Sequence, residues 1–143
     1  MAEAISEALR RAVTERARGY CEYCLSQEAC ATERFSIEHI HPRVLGGLTV
    51  AENLALACQG CNGHKAVATA ATDPETGEMT TLFNPRQQIW GEHFAWSEDG
   101  LNIVGLTPTG RATIVRLQMN RPSLVNLRSA LLAIKVHPPR DLP

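Results

Sequence analysis

The sequence predicts a mixed α+β fold in which short hairpins and helices gather around a cluster of cysteines. Three observations carry that expectation. Apolar residues recur at helical spacing near the amino terminus, short β-prone runs flank glycine turns in two later stretches, and Cys21, Cys24, Cys58 and Cys61 form two C-x2-C knuckles. The 143-residue length suits one domain over residues 1–143, with a core at about 19–72 and an extension at about 73–143. Hydrophobic residues at 44% and charged residues at 20% exclude a largely disordered chain.

Residues 4–18 place Ile5, Leu9, Ala12, Val13 and Ala17 on one helical face, and Gly19 follows as a C-cap. Residues 35–40 and 54–57 are short apolar runs separated by a loop containing Gly46-Gly47. They predict a hairpin whose return strand delivers Cys58. The Ala-rich stretch 65–71 favours helix, broken at Asp73-Pro74, and 73–79 reads as a turn-rich connector. A second hairpin is expected within 92–105 around Glu98-Asp99-Gly100. Thr107-Pro108 reads as an N-cap followed by proline at the first helical position, opening a helix to about 119, and a last helix covers about 124–135. Trp90 and Trp96 are assigned to the core of the second hairpin, and His137, in a Pro-rich tail, to unstructured chain.

A net charge of −1 argues against a protein that holds nucleic acid by bulk charge alone. The charge is unevenly placed, however. Residues 66–105 hold six acids against Arg86 alone, whereas from 106 onward Arg111, Arg116, Arg121, Arg128, Lys135 and Arg140 oppose only Asp141. Two readings stay open: the segments neutralise each other, or the basic one tracks a polyanion. No apolar run approaches a membrane span, and residues 1–19 offer no apolar signal region. A soluble, cytoplasmic protein with no membrane partner is expected.

In such a chain, paired knuckles read as a closed structural Zn²⁺ site of four thiolates, because each tight turn brings two sulfurs to one metal at little loop-closure cost. The disulfide alternative needs an oxidising compartment that nothing in the sequence indicates. The 33 residues between the knuckles exceed the roughly 15 to 20 of a simple zinc ribbon, so a functional insert is expected there. Cys30 is left as a free thiol.

Within that insert stand Glu38-His39-Ile40-His41-Pro42, then Gly46-Gly47, then Asn53-Leu54, and just after the second knuckle Asn62-Gly63-His64-Lys65. Over residues 19–65 this order resembles the zinc-stapled HNH endonucleases. The resemblance implies a ββα-metal core and a metal-dependent endonuclease that cleaves or nicks DNA, leaving 5′-phosphate and 3′-hydroxyl ends. It also assigns roles: Glu38 and Asn62 as ligands of a catalytic divalent metal, His39 as general base, and Asn53 as the residue holding the base or its loop in position.

The residue chemistry agrees with those roles. Phosphodiester hydrolysis needs an activated water, charge stabilisation on the phosphate and help for the leaving oxygen. A histidine, with an ordinary pKa near 6.5, suits the first task, and a divalent cation the other two. The oxygen donors Glu38 and Asn62 favour Mg²⁺ or Mn²⁺. The family more often has histidine where Asn62 stands, and His64 two places later is the alternative ligand. HNH domains of RNA-guided CRISPR effectors also use Asn-x-x-Lys here, which favours Asn62. A tension remains in the first strand of the hairpin, since neighbouring strand residues point to opposite faces and Glu38 and His39 cannot both aim at one spot in a regular strand. His41, Arg43, His64 and Lys65 are candidate phosphate contacts. The rival reading is a catalytically silent zinc module that binds nucleic acid or protein. An RNA nuclease would differ only in substrate.

Overall fold

The structure, a computed structural model, describes residues 4–140. Helix α1 (Glu7–Arg16) begins where Ser6 accepts the Leu9 N–H, and its basic last residue, Arg16, donates to the carbonyls of Ala51 and Leu54. The helix thereby rests on the strand that delivers the second knuckle. Past it, Arg18 and Gly19 both adopt positive φ and turn the chain into the first knuckle.

Strands β1 (Ser36–His39) and β2 (Leu54–Ala57) pair antiparallel with Glu38 opposite Ala55 and His39 opposite Leu54. Strand β2 is buried along its whole length, which explains its unbroken apolar run. The connecting loop folds back on itself around Gly47, where a Cβ would lie 1.8 Å from the His41 carbonyl oxygen. Helix α2 (Gln59–Lys65) follows directly, with Cys58 as its N-cap.

Helix α2 ends at Lys65, so the Ala-rich stretch is not helical. Ala66 turns away with φ of 49°, and strand β3 (Ala70–Thr72) pairs with β4 (Met79–Thr81). The turn overrides propensity here: Gly77 N–H donates to the Asp73 carbonyl and Asp73 N–H to the Glu78 carbonyl, closing a hairpin. Asp73 is buried and also receives Arg111 through both carboxylate oxygens at 2.9 Å. A one-turn helix, α3 (Trp90–His93), leads into the second hairpin, β5 (Phe94–Trp96) with β6 (Ile103–Gly105). Helices α4 (Pro108–Leu117) and α5 (Pro122–Ala133) close the fold. Thr107 caps α4 through Gly110 N–H, as expected.

One hydrophobic cluster joins both ends of the chain, running from Val13 and Tyr23 through Leu54, Leu56, Phe83 and Phe94 to Leu117 and Leu124. Trp90 and Trp96 pack against it, with Trp90 Nε1 donating to the Tyr23 carbonyl. His137 is not in unstructured chain. It is buried, lies edge-on to Trp96 at 4.5 Å, and has Nε2 2.8 Å from the Gly100 carbonyl oxygen. An aromatic partner 41 residues away in sequence overrides the local proline signal. Among the described residues no helix is long and apolar enough to cross a membrane.

Candidate metal centre and candidate active site

The four knuckle cysteines converge, buried, with all four sulfurs within 4.8 Å of one another and Cys24 Sγ 3.7 Å from Cys58 Sγ. A regular tetrahedron of thiolates at the usual zinc–sulfur length has edges of about 3.8 Å, which the Cys24–Cys58 separation matches, so this donor set suits Zn²⁺. A disulfide would need sulfurs about 2 Å apart, and these cysteines are free. Local geometry prepares the site. Cys24 N–H points at Cys21 Sγ, and Cys61 N–H at Cys58 Sγ, so each knuckle turn directs a backbone dipole at a sulfur. Burial pushes the Cys21 thiol up, whereas hydrogen bonds from the thiols of Cys21, Cys24 and Cys61 hold Cys58 well below the ordinary range. Cys30 is exposed and takes no part in the cluster.

An arginine also serves the sulfurs. Arg121, which precedes α5, donates from Nη2 to Cys58 Sγ at 3.3 Å and from Nη1 to Cys61 Sγ at 3.7 Å. Burial works against its charge, yet the nearby Cys61 and Cys58 sulfurs hold the guanidinium above its ordinary value. Gly60, inside the second knuckle, makes room: a Cβ there would lie 2.3 Å from Arg121 Nη2. The sequence signal was that bare position between Cys58 and Cys61.

Several of the basic carboxyl-terminal residues are engaged within the fold. Arg111 pairs with Asp73 and Glu75, and Arg116 donates to the Lys65 carbonyl. Arg128 is buried, bonding the carbonyls of Met119 and Leu101 and Oδ1 of Asn120. The neutralisation reading holds at Arg111 alone, since the other contacts are to backbone, amide and sulfur. Asp141 lies outside the described residues.

At the hairpin, the alternation of β1 separates Glu38 from His39. Glu38 is buried at 5% exposure, where it accepts from the Tyr23 hydroxyl at 2.6 Å and forms an ion pair with Lys65, itself 2% exposed. Lys65 Nζ also donates to the Ile40 carbonyl at 3.1 Å. Burial raises the Glu38 carboxyl above its usual value, against the opposing pull of Lys65 and Tyr23. Lys65 is thus an internal counter-charge and not a surface phosphate contact. Tyr23, between the two cysteines of the first knuckle, was not singled out from sequence. It links the four-cysteine cluster to Glu38.

His39, on the other face and half-buried, has Nε2 2.8 Å from Thr49 Oγ1 in the 40–53 loop. Asn53 ties that loop down. Its Oδ1 accepts the His41 N–H at 2.9 Å, and its Nδ2 donates to the carbonyls of His41 and Leu48. His41 is exposed, with Nε2 3.0 Å from the Leu45 carbonyl oxygen, and Arg43 sits half-buried in the same loop. Asn62 and His64 are half-buried on α2, Asn62 one residue past Cys61 and one turn before Lys65. The hairpin and α2 carry the residues singled out from sequence, with Glu38 and His39 on opposite faces of β1 and Glu38 already paired with the Lys65 ammonium.

No curated protein and no solved structure matches the chain. The model of one family does, and it covers the elements just described. Residues 21–67, which hold the four knuckle cysteines, the β1–β2 hairpin and α2, match the family model of the HNH endonuclease.

Proposed function

We propose that the protein is a metal-dependent HNH endonuclease hydrolysing DNA phosphodiester bonds. The observation that carries the reading is the coincidence of the family match with the hairpin that presents His39 beside Thr49. In this reading β1, β2 and α2 form a ββα-metal core stapled by Zn²⁺. His39 takes the proton of the attacking water, and Asn53 is a positioning residue that holds the loop following His39. Glu38 and Asn62 are the ligands for Mg²⁺ or Mn²⁺, and such a cation, when bound, supplies charge stabilisation to the phosphate and the leaving oxygen. For Glu38 to take that cation, the Lys65 ammonium must give up its place.

The test is plasmid cleavage by zinc-loaded protein with Mg²⁺ or Mn²⁺, comparing wild type with His39→Ala. Loss of a general base costs roughly 10²- to 10⁴-fold in rate, with zinc content and DNA binding retained. A His39→Ala protein that cuts at the wild-type rate removes His39 from the mechanism. One observation favours the rival, a catalytically silent nucleic-acid binding module: the Glu38 carboxylate is buried and already paired. DNA binding without cleavage in either metal would establish it.

A further inference from the structure

A cleft of about 520 Å³ opens where the 40–53 loop meets the extension, with His41 and Asn53 on the loop side and Asn84 and Gln88 on the other. The volume lies within the range of small-ligand sites. Its hydrogen-bonding character is unusual for a phosphate site. Lys65 lines it, but that ammonium is committed to Glu38 and the Ile40 carbonyl. What the extension adds is amide chemistry. Arg86 N–H donates to Asn84 Oδ1 at 2.9 Å, and Asn84 N–H donates to Gln88 Oε1 at 2.8 Å. Each side-chain oxygen is thereby held by the backbone, which fixes the orientation of both amides. Their amino groups, Asn84 Nδ2 and Gln88 Nε2, are left as neutral donors without a protein partner among the described residues. Phe83 and Leu82 supply apolar wall beside them.

Oriented neutral donors next to an apolar wall match the acceptor atoms of a nucleobase, such as purine N3 or pyrimidine O2. A phosphate can also accept from amides, but the one Lys or Arg lining the cleft, Lys65, is committed elsewhere, and Glu52 adds a negative charge to its lining. We propose that this cleft is a base-binding subsite in which Asn84 and Gln88 donate to the acceptor edge of a nucleobase near the cut. The proposal rests on the nuclease reading and adds a subsite to it. The loop connecting the two is shared: its Thr49 touches His39, while its His41 and Asn53 line the cleft. Both amides lie outside the 21–67 family match, so the extension supplies the specificity.

The test uses Asn84→Asp and Gln88→Glu, which keep the oxygen that accepts the backbone N–H and remove the amino donor. Cut sites of wild type and each variant are mapped on the same mixed-sequence DNA. Binding of zinc-loaded His39→Ala protein, alone and with each substitution added, is then titrated against a duplex carrying a mapped site. In this duplex an abasic position is walked along each strand. The expected result is an altered base preference at one position flanking the cut, and binding weakened by more than the roughly 5-fold of one lost neutral hydrogen bond, because each carboxylate also repels the base acceptor. An abasic lesion at that same position should cost His39→Ala the bonds to both amides, and should cost each doubly substituted protein, which keeps one amide, correspondingly less. Uniform weakening at all sequences and lesions would mean that the cleft meets phosphates, and it would overturn the proposal, as would an unchanged profile. Either outcome with an active wild type leaves the nuclease reading standing. A wild type that neither binds nor cuts DNA overturns both.

Discussion

Replacing Arg121 with alanine should loosen the zinc while leaving all four ligands in place. Four thiolates and one Zn²⁺ carry two net negative charges in a buried site. Arg121 answers them with two N–H donors, at 3.3 Å to Cys58 Sγ and 3.7 Å to Cys61 Sγ. It is itself braced by the Leu117 and Gln118 carbonyls at 3.3 and 3.1 Å. Loss of such an outer partner lowers metal affinity by about 10- to 100-fold, which corresponds to about 1.4 to 2.8 kcal/mol. Competition against a chromophoric chelator reads the change directly. Gly60→Ala provides an independent route to the same state, because a methyl 2.3 Å from Nη2 displaces the guanidinium without deleting it. Helix propensity alone makes that substitution favourable by about 1 kcal/mol, so weaker zinc binding in Gly60→Ala has the opposite sign from the propensity effect. Arg121→Lys, which keeps a charge but not the fork, should fall between. Unchanged zinc affinity in both Arg121→Ala and Gly60→Ala would refute the reasoning.

Three further outcomes are expected. Cys58→Ser, or exhaustive chelation of the wild type, should unfold the hairpin and helix, because metal binding contributes several kcal/mol or more of folding free energy; circular dichroism before and after zinc addition checks it. Lys65→Met should destabilise by about 3 to 5 kcal/mol by stranding a buried carboxylate, and Lys65→Met combined with Glu38→Gln should recover much of the loss in denaturant unfolding. Asp73 is held below the usual carboxylate value first by the Arg111 hydrogen bonds, and then by Glu75 N–H and the Thr76 hydroxyl. Its folded value is depressed, so its contribution is complete above the unfolded value near 3.9 and is lost as pH falls through the lower folded value. Acid unfolding of wild type and Asp73→Asn should therefore differ in slope below about pH 4 and run parallel above it.

What was legible in the sequence is what local chemistry controls. The two knuckles, the Thr107 cap, the Gly46-Gly47 loop and the two expected hairpins each announce themselves within a few residues, and the structure has them. The fate of the charged residues was not legible. Lys65 and Arg121 look like surface cations in one dimension, and only the approach of β1 to α2, or of the segment before α5 to the second knuckle, converts them into buried or sulfur-bound partners. Residues 70–72 show the same limit for backbone. Alanine favours helix until a turn and a buried carboxylate require a strand. At the candidate site, strand alternation correctly raised the question of whether Glu38 and His39 diverge, but identifying Tyr23 and Lys65 as the partners of Glu38 required the third dimension.

Helix α2 spans seven residues, roughly 10 Å, far too short to persist in water by itself. It exists because it is anchored at both extremities, by Cys58 and Cys61 in the metal cluster at one end and by Lys65 on Glu38 at the other. Asn62 rides between the anchors. The helix thus acts as a strut whose integrity depends on a sulfur cluster, and an oxidant or chelator that strips the cluster collapses the strut. Asn62 and Lys65 then lose their positions together, without either being touched chemically. In this architecture the chemical state of four buried thiols governs the order of the helix that carries Asn62 and Lys65.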